Sequence, residues 1–264
     1  MKQPELPRDL PDVHARPDAR GIPLAEVGVR DVPTQLTVID PEASHGPALT
    51  HLSLSVALPA ERRAAHLSRL GEAVWALGER VALADLPELC HKLAVRLEAP
   101  SARLEGRFSL LVRREAPVTR SAGLVEIPCG FSASWSREQT SLRQRLTAQV
   151  QSLCPCSKEM SEKGAHNQRC RVQVDAESKA GLPYLKLLEA VEASGSCQLF
   201  PVLKRPDEKW VTEQAYAHPA FVEDIARELA QTLGRLPSIG ATRVEVQSQE
   251  SIHPHDAYAI AETR

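Results

Sequence analysis

Between Leu49 and Leu58 the chain reads LTHLSLSVAL, with Leu52, Leu54, Val56 and Leu58 at strict period two. That spacing predicts a β-strand with one face in a core. Pro59 closes it, and the next stretch, AERRAAHLSRLGEAVWALGE, changes period. Leu67, Leu70, Val74 and Leu77 fall at helical spacing and predict a helix with one buried stripe. A half-buried strand next to an amphipathic helix requires a layered fold mixing both element types.

The same alternation of periods continues to the end of the chain. TQLTVI, from Thr34 to Ile39, reads as a strand. Asp85 reads as an N-cap, with Pro87 in the first turn of a helix running to about Leu97. RLEGRFSLLVRR and GLVEIPCGFSASWS read as strands, and so do LRQRLTAQVQSL and RCRVQVDAE, separated by the turn-rich CPCSKEMSEKGAHNQ. LPYLKLLEAVEAS is a predicted helix, as is Pro219 to about Arg235, where Phe221, Ile225, Leu229 and Leu233 lie four apart. ATRVEVQSQE and DAYAIAE close the chain as strands. The fold expected is α+β: two ββααββ-like units in tandem, with antiparallel sheets and helices on one face. Their expected bounds are 34–140 and 141–264, after a Pro-rich, charged arm over 1–33.

Composition narrows the function classes. The formal net charge of −2 over 264 residues argues against a nucleic-acid binder that works by bulk electrostatics. No apolar run approaches the ~18 residues of a membrane span, and the N-terminus lacks an apolar signal region. A cytoplasmic protein with no membrane partner is expected. Six cysteines, at 90, 129, 154, 156, 170 and 197, then carry no disulfide message.

Four patches can bear chemistry. Cys154-Pro155-Cys156 pairs two soft ligands that also become nucleophiles when deprotonated. One residue between them is too short for the usual C-x2-C zinc geometry, so both need not bind one ion. His166 follows ten residues after Cys156 and could share a tetrahedral site, although a C-x-C alone is more often structural. In LKRPDEKW, Asp207 or Glu208 could ligate a metal while Lys204, Arg205 and Lys209 meet phosphate; a charged turn ahead of a helix is the plainer reading. In SIHPHDAY, His253 and His255 are expected to point to opposite faces of an extended segment. In HLSR, His66 and Arg69 lie on the first predicted helix, where an arginine also suits a solvated face. Together these patches offer thiol, imidazole, carboxylate and scattered cations, which suit a metal-activated water acting on an anionic substrate.

These strings resemble a known family. SLCPCSKEMSEKGAHNQR, LKRPDEKWVTE, AFVEDIARELA and SIHPHDAYA are similar to the blocks of the type IB GTP cyclohydrolases, in order. DVHARPDARGIPLAEVGVRDV and AAHLSR resemble its N-terminal blocks. The resemblance implies a bimodular tunnelling fold, a homotetramer with active sites at subunit interfaces, and one divalent metal per site, Zn2+ or Mn2+. It implies hydrolysis of GTP to 7,8-dihydroneopterin triphosphate and formate, feeding tetrahydrofolate and queuosine synthesis. By position, Cys154 and His166 match metal ligands, Glu208 a carboxylate near the metal, and His253 a ligand or proton carrier of the same pocket. Cys156 matches a second active-site cysteine, and His255 is grouped with the catalytic residues. Glu223 matches the acid that anchors guanine, although an acid in the first turn of a helix also suits the helix dipole. His66, Arg69, Lys158, Arg169, Lys204 and Arg205 are the triphosphate candidates. Leu70, where the family is expected to carry an aromatic residue, and QLFPVLKR depart from the pattern. The alternatives are a non-catalytic purine- or pterin-binding protein with a structural zinc, a tunnelling-fold nitrile reductase and a thiol redox protein.

Overall fold

The computed structural model describes residues 13–14 and 16–263. Its strands are β1 Leu24–Ile39, β2 Ser44–Leu58, β3 Arg80–Ala82, β4 Ser101–Glu115, β5 Ala122–Ser136, β6 Thr140–Leu153, β7 Asn167–Ser178, β8 Cys197–Gln198, β9 Ile239–Ser248 and β10 Ala257–Thr263. Its helices are α1 Leu67–Ala76, α2 Leu86–Arg96, α3 Pro155–Met160, α4 Tyr184–Ser194, α5 Arg205–Ala217 and α6 Val222–Leu233. The class is α+β, and the order ββααββ occurs twice: β1, β2, α1, α2, β4, β5 and then β6, β7, α4, α6, β9, β10. β3, α3, β8 and α5 are additions to it.

Among the described residues the strands form one sheet in the order β10-β9-β7-β6-β5-β4-β2-β1-β3, with β8 beside β6. Neighbours are antiparallel, apart from the parallel pair of β1 and β3. Period two explains the two faces. On β4, Ala102, Leu104, Phe108 and Leu110 are buried, and α2 packs across β4 and β5. α4 packs on β6 and α6 on β9 and β10, which extends the same core across both halves. The alternate residues Arg103, Glu105, Arg107, Arg143 and Arg145 line a trough of about 1640 Å³ on the other face. No helix among the described residues is long and apolar enough to cross a membrane.

Three local expectations need correction. The arm expected over 1–33 falls partly outside the described residues, and from Leu24 onward it is strand, paired Leu24 to Leu58. The helix expected directly after Pro59 starts only at Leu67, because residues before it are held to the end of α2. Arg62 donates to Leu97 O and pairs with Glu98 at 2.5 Å. Leu67 is consequently 48% exposed, and Leu70 and Val74 carry the stripe. LKRPDEKW is not a bare charged turn: it opens α5, whose first turn holds Pro206 and whose Asp207 is buried. α5 carries a weak apolar pattern, with Asp207 and Ala215 its buried residues, so periodicity could not find it.

Candidate active site

β6 ends at Leu153, and Cys154 is the N-cap of the short helix α3, with Pro155 preset for its first position. The one-residue spacing puts the two thiols in different surroundings. Cys154 is half-buried, and its Sγ accepts a hydrogen bond from Ser157 N at 3.4 Å, while Cys156 is exposed. Ser157, which spacing did not single out, ties the loop together. Its Oγ donates to Cys154 O at 3.3 Å and accepts from His166 N at 3.2 Å. Cys154 N in turn donates to His166 O at 3.1 Å. Twelve residues apart in sequence, Cys154 and His166 are fixed side by side across the β6–β7 connection.

Other elements converge on the same end of the sheet. Leu153 O accepts from Ala220 N at 3.1 Å, and Ser152 Oγ donates to Ala220 O at 2.8 Å. This brings the start of α6, with the exposed Glu223 in its first turn, beside Cys154. Lys158 reaches from α3 to the end of α5, where its Nζ donates to Tyr216 O at 2.6 Å and lies 4.6 Å from the Tyr216 ring centre. Lys158 is therefore engaged in joining two helices. Gln249 N donates to Arg169 O at 3.0 Å, which brings the β9–β10 loop alongside. In that loop the His253 and His255 rings stack, with centres 5.2 Å apart and planes at 13°. The expected opposite orientation is corrected: Pro254 lies in a bend, outside any strand, so alternation does not apply.

At the start of α5 the structure separates the two acids of LKRPDEKW. Asp207 Oδ1 accepts from Val118 N and Thr119 N at 2.9 and 2.8 Å. Its Oδ2 accepts from Thr119 Oγ1 at 2.6 Å and Lys204 N at 3.0 Å. Burial pushes its carboxyl up, but the Thr119 hydroxyl and these amides outweigh it and hold it well below the usual carboxylate range. With its lone pairs committed, Asp207 anchors α5 to the β4–β5 turn, leaving Glu208, Lys204 and Arg205 exposed at the helix start. Glu208 is thus the acid of the pair available to a ligand.

His66 and Arg69 are not brought to this place. β2 and β6 run antiparallel, being three antiparallel steps apart, so their C-terminal ends lie on opposite edges of the sheet. His66 and Arg69 follow β2 and line a separate pocket of about 260 Å³ with His14, Arg62 and Glu98. Among the described residues, no three His, Cys, Asp or Glu side chains gather closely enough to hold a metal ion. The donor chemistry of the Cys154 edge nevertheless suits a borderline divalent ion: a thiol and an imidazole held on one connection, with a carboxylate exposed on a helix joined to it.

A family model for type I GTP cyclohydrolase folE2 matches residues 10–259. The chain is 37% identical over 254 residues to the GTP cyclohydrolase FolE2 of Thermosipho melanesiensis, covering 96% of this chain and 98% of that protein. It is 39% identical over 253 residues to GTP cyclohydrolase FolE2 of Burkholderia ambifaria strain MC40-6, covering 96% and 94%. Among solved structures, uricase from Arthrobacter globiformis aligns over 90% of both chains, with a TM-score of 0.49 and 9% identity. That likeness carries no functional message.

Proposed function

The chain belongs to the type I GTP cyclohydrolase folE2 family, and from that premise we propose that it hydrolyses GTP to 7,8-dihydroneopterin triphosphate and formate, with a divalent metal ion held at the Cys154 edge of the sheet. The observation that carries this reading to particular residues is the hydrogen-bonded joining of Cys154 to His166, with the start of α6 alongside.

In this reading Cys154, His166 and Glu208 hold Zn2+ or Mn2+, with His253 as a further ligand or a proton carrier. When bound, the ion supplies Lewis acidity, lowering the pKa of water so that it attacks at neutral pH. The remaining tasks belong to the chain. Glu223 accepts hydrogen bonds from N1–H and the 2-amino group of guanine, which sets C8 toward the thiols. Cys156, the exposed thiol of the pair, protonates N7 as charge develops there. Lys204, Arg205 and Arg169, exposed at this edge, face the triphosphate, with Lys158 bracing the helices behind them.

His66 and Arg69 lie on the opposite edge, which supports a site completed by a second copy of the chain. The tunnelling fold, the homotetramer, the cytoplasmic location and supply of tetrahydrofolate and queuosine synthesis are parts of the same proposal. The test is anaerobic incubation of metal-stripped protein with GTP, adding back Mn2+ or Zn2+ and reading neopterin fluorescence after oxidation and dephosphorylation. Metal-dependent fluorescence that is lost in Cys154→Ala and Glu223→Ala supports the assignment. Folded, assembled protein that forms no product with either metal would sink it.

A further inference from the structure

β7 begins one residue after His166, and period two places His166 and Gln168 on one side of the chain there. His166 Nδ1 lies 2.9 Å from Gln168 Oε1. The same oxygen accepts from Ser251 Oγ at 3.4 Å, from the loop that carries His253 and His255. A carbonyl oxygen has two lone pairs and no proton, so it can serve both neighbours only if both donate. The imidazole then carries its proton on Nδ1, and Nε2 is the nitrogen with the lone pair.

The oxygen is also well placed to hold that arrangement. Gln168 is a ladder residue, opposite Ser152 on β6, so its backbone is fixed by the sheet. Ser152 is itself buried and bonded to Ala220, ahead of α6. His166 N is held separately by Ser157 Oγ at 3.2 Å. Backbone and ring of His166 are thus fixed by different partners, on either side of the chain.

We propose that Gln168 is a positioning residue for the metal site: its Oε1 sets the tautomer and ring orientation of His166, and through Ser251 it couples the His253 loop to that ring. This rests on the metal reading given above. An imidazole that ligates through one nitrogen commonly donates its other N–H to an oxygen, and loss of that oxygen weakens metal binding. Gln168 fills this role from the strand itself, with an oxygen shared between two of the site's segments.

The experiment compares wild type, Q168L, Q168E and S251A by Zn2+ competition against a chromophoric chelator, with folding followed by thermal melting. In parallel, 15N-histidine NMR of the metal-free proteins reads the His166 tautomer, assigned from the signal missing in H166N. Q168L should fold yet bind Zn2+ roughly 10- to 100-fold more weakly and lose the Nδ1–H form. Q168E, whose carboxylate can only accept, should keep both the wild-type tautomer and tight binding. S251A should retain the tautomer, since the His166 bond survives. Wild-type Zn2+ affinity in Q168L overturns the proposal, and so does equal loss in Q168L and Q168E, which would make the amide a donor to His166. Failure of the wild-type chain to take up Zn2+ would instead sink the metal reading and this proposal together.

Discussion

Burial raises the thiols of this chain, whereas hydrogen bonds overcome the same effect at one buried carboxyl. Burial pushes the Cys90 and Cys197 thiols up to about 11, and Cys129 and Cys170 are raised by the same cause. Brief alkylation of the native protein at neutral pH should therefore mark Cys156 and Cys154 and spare these four, as read by peptide mass spectrometry; labelling at Cys129 would contradict the packing. For Asp207 the sign runs the other way. Its carboxyl titrates below the ordinary range, so its stabilisation is fully present above an unfolded pKa of ~3.9 and is lost as pH falls toward the folded value. Asp207→Asn should lower the melting temperature at neutral pH and flatten the loss of stability below about pH 4. A wild-type acid limb in that variant would show that the carboxylate is not the anchor. The sequence named Cys154, His166 and Glu208 through resemblance. It was silent on Ser157 and Gln168, because a serine and a glutamine carry no spacing signal and matter here only through what they touch.

At the scale of elements, legibility followed the strength of the apolar period. β2 and α6 were readable because Leu52, Leu54, Val56 and Leu58, and likewise Ile225, Leu229 and Leu233, are all buried, whereas Phe221, expected in the same stripe, caps α6 and is exposed. α5 was not, since its place depends on the Asp207 anchor and a small satellite cluster with Leu153 and Cys197. The sheet also contains a constraint that no pattern announces. On β4, Gly106 faces Phe131 of β5 across the ladder, and a Cβ at Gly106 would overlap the Phe131 ring. Gly106→Ala should destabilise by about 1–3 kcal/mol in denaturant melts. Combined with Phe131→Leu it should cost less than the two single changes added, because they share one space. Strict additivity would mean that the ring is not where the glycine requires it.

At the scale of the molecule, the two sets of proposed substrate residues lie on opposite edges of one sheet, Cys154 with Glu223 and His66 with Arg69. A chain that uses both must do so with another copy. Arg69→Ala and Cys154→Ala proteins should each be inactive alone, and co-expression with different tags should restore GTP turnover in the mixed assembly. Mixed assemblies that co-purify yet stay inactive would place Arg69 outside the site.

The α+β class, most strands and the strongly amphipathic helices followed from sequence alone, because burial of one face is a local requirement that repeats every two or 3.6 residues. The chemical types of the site followed too, since a thiol, imidazole or carboxylate is recognisable wherever it stands. Tertiary structure alone decided which of them meet. Cys154 joins His166 through Ser157, Asp207 turns inward while Glu208 stays free, and His253 stacks on His255. These outcomes depend on particular side-chain contacts, within a loop for Cys154 and His253 and across the chain for Asp207, and such contacts leave no periodic trace in the sequence.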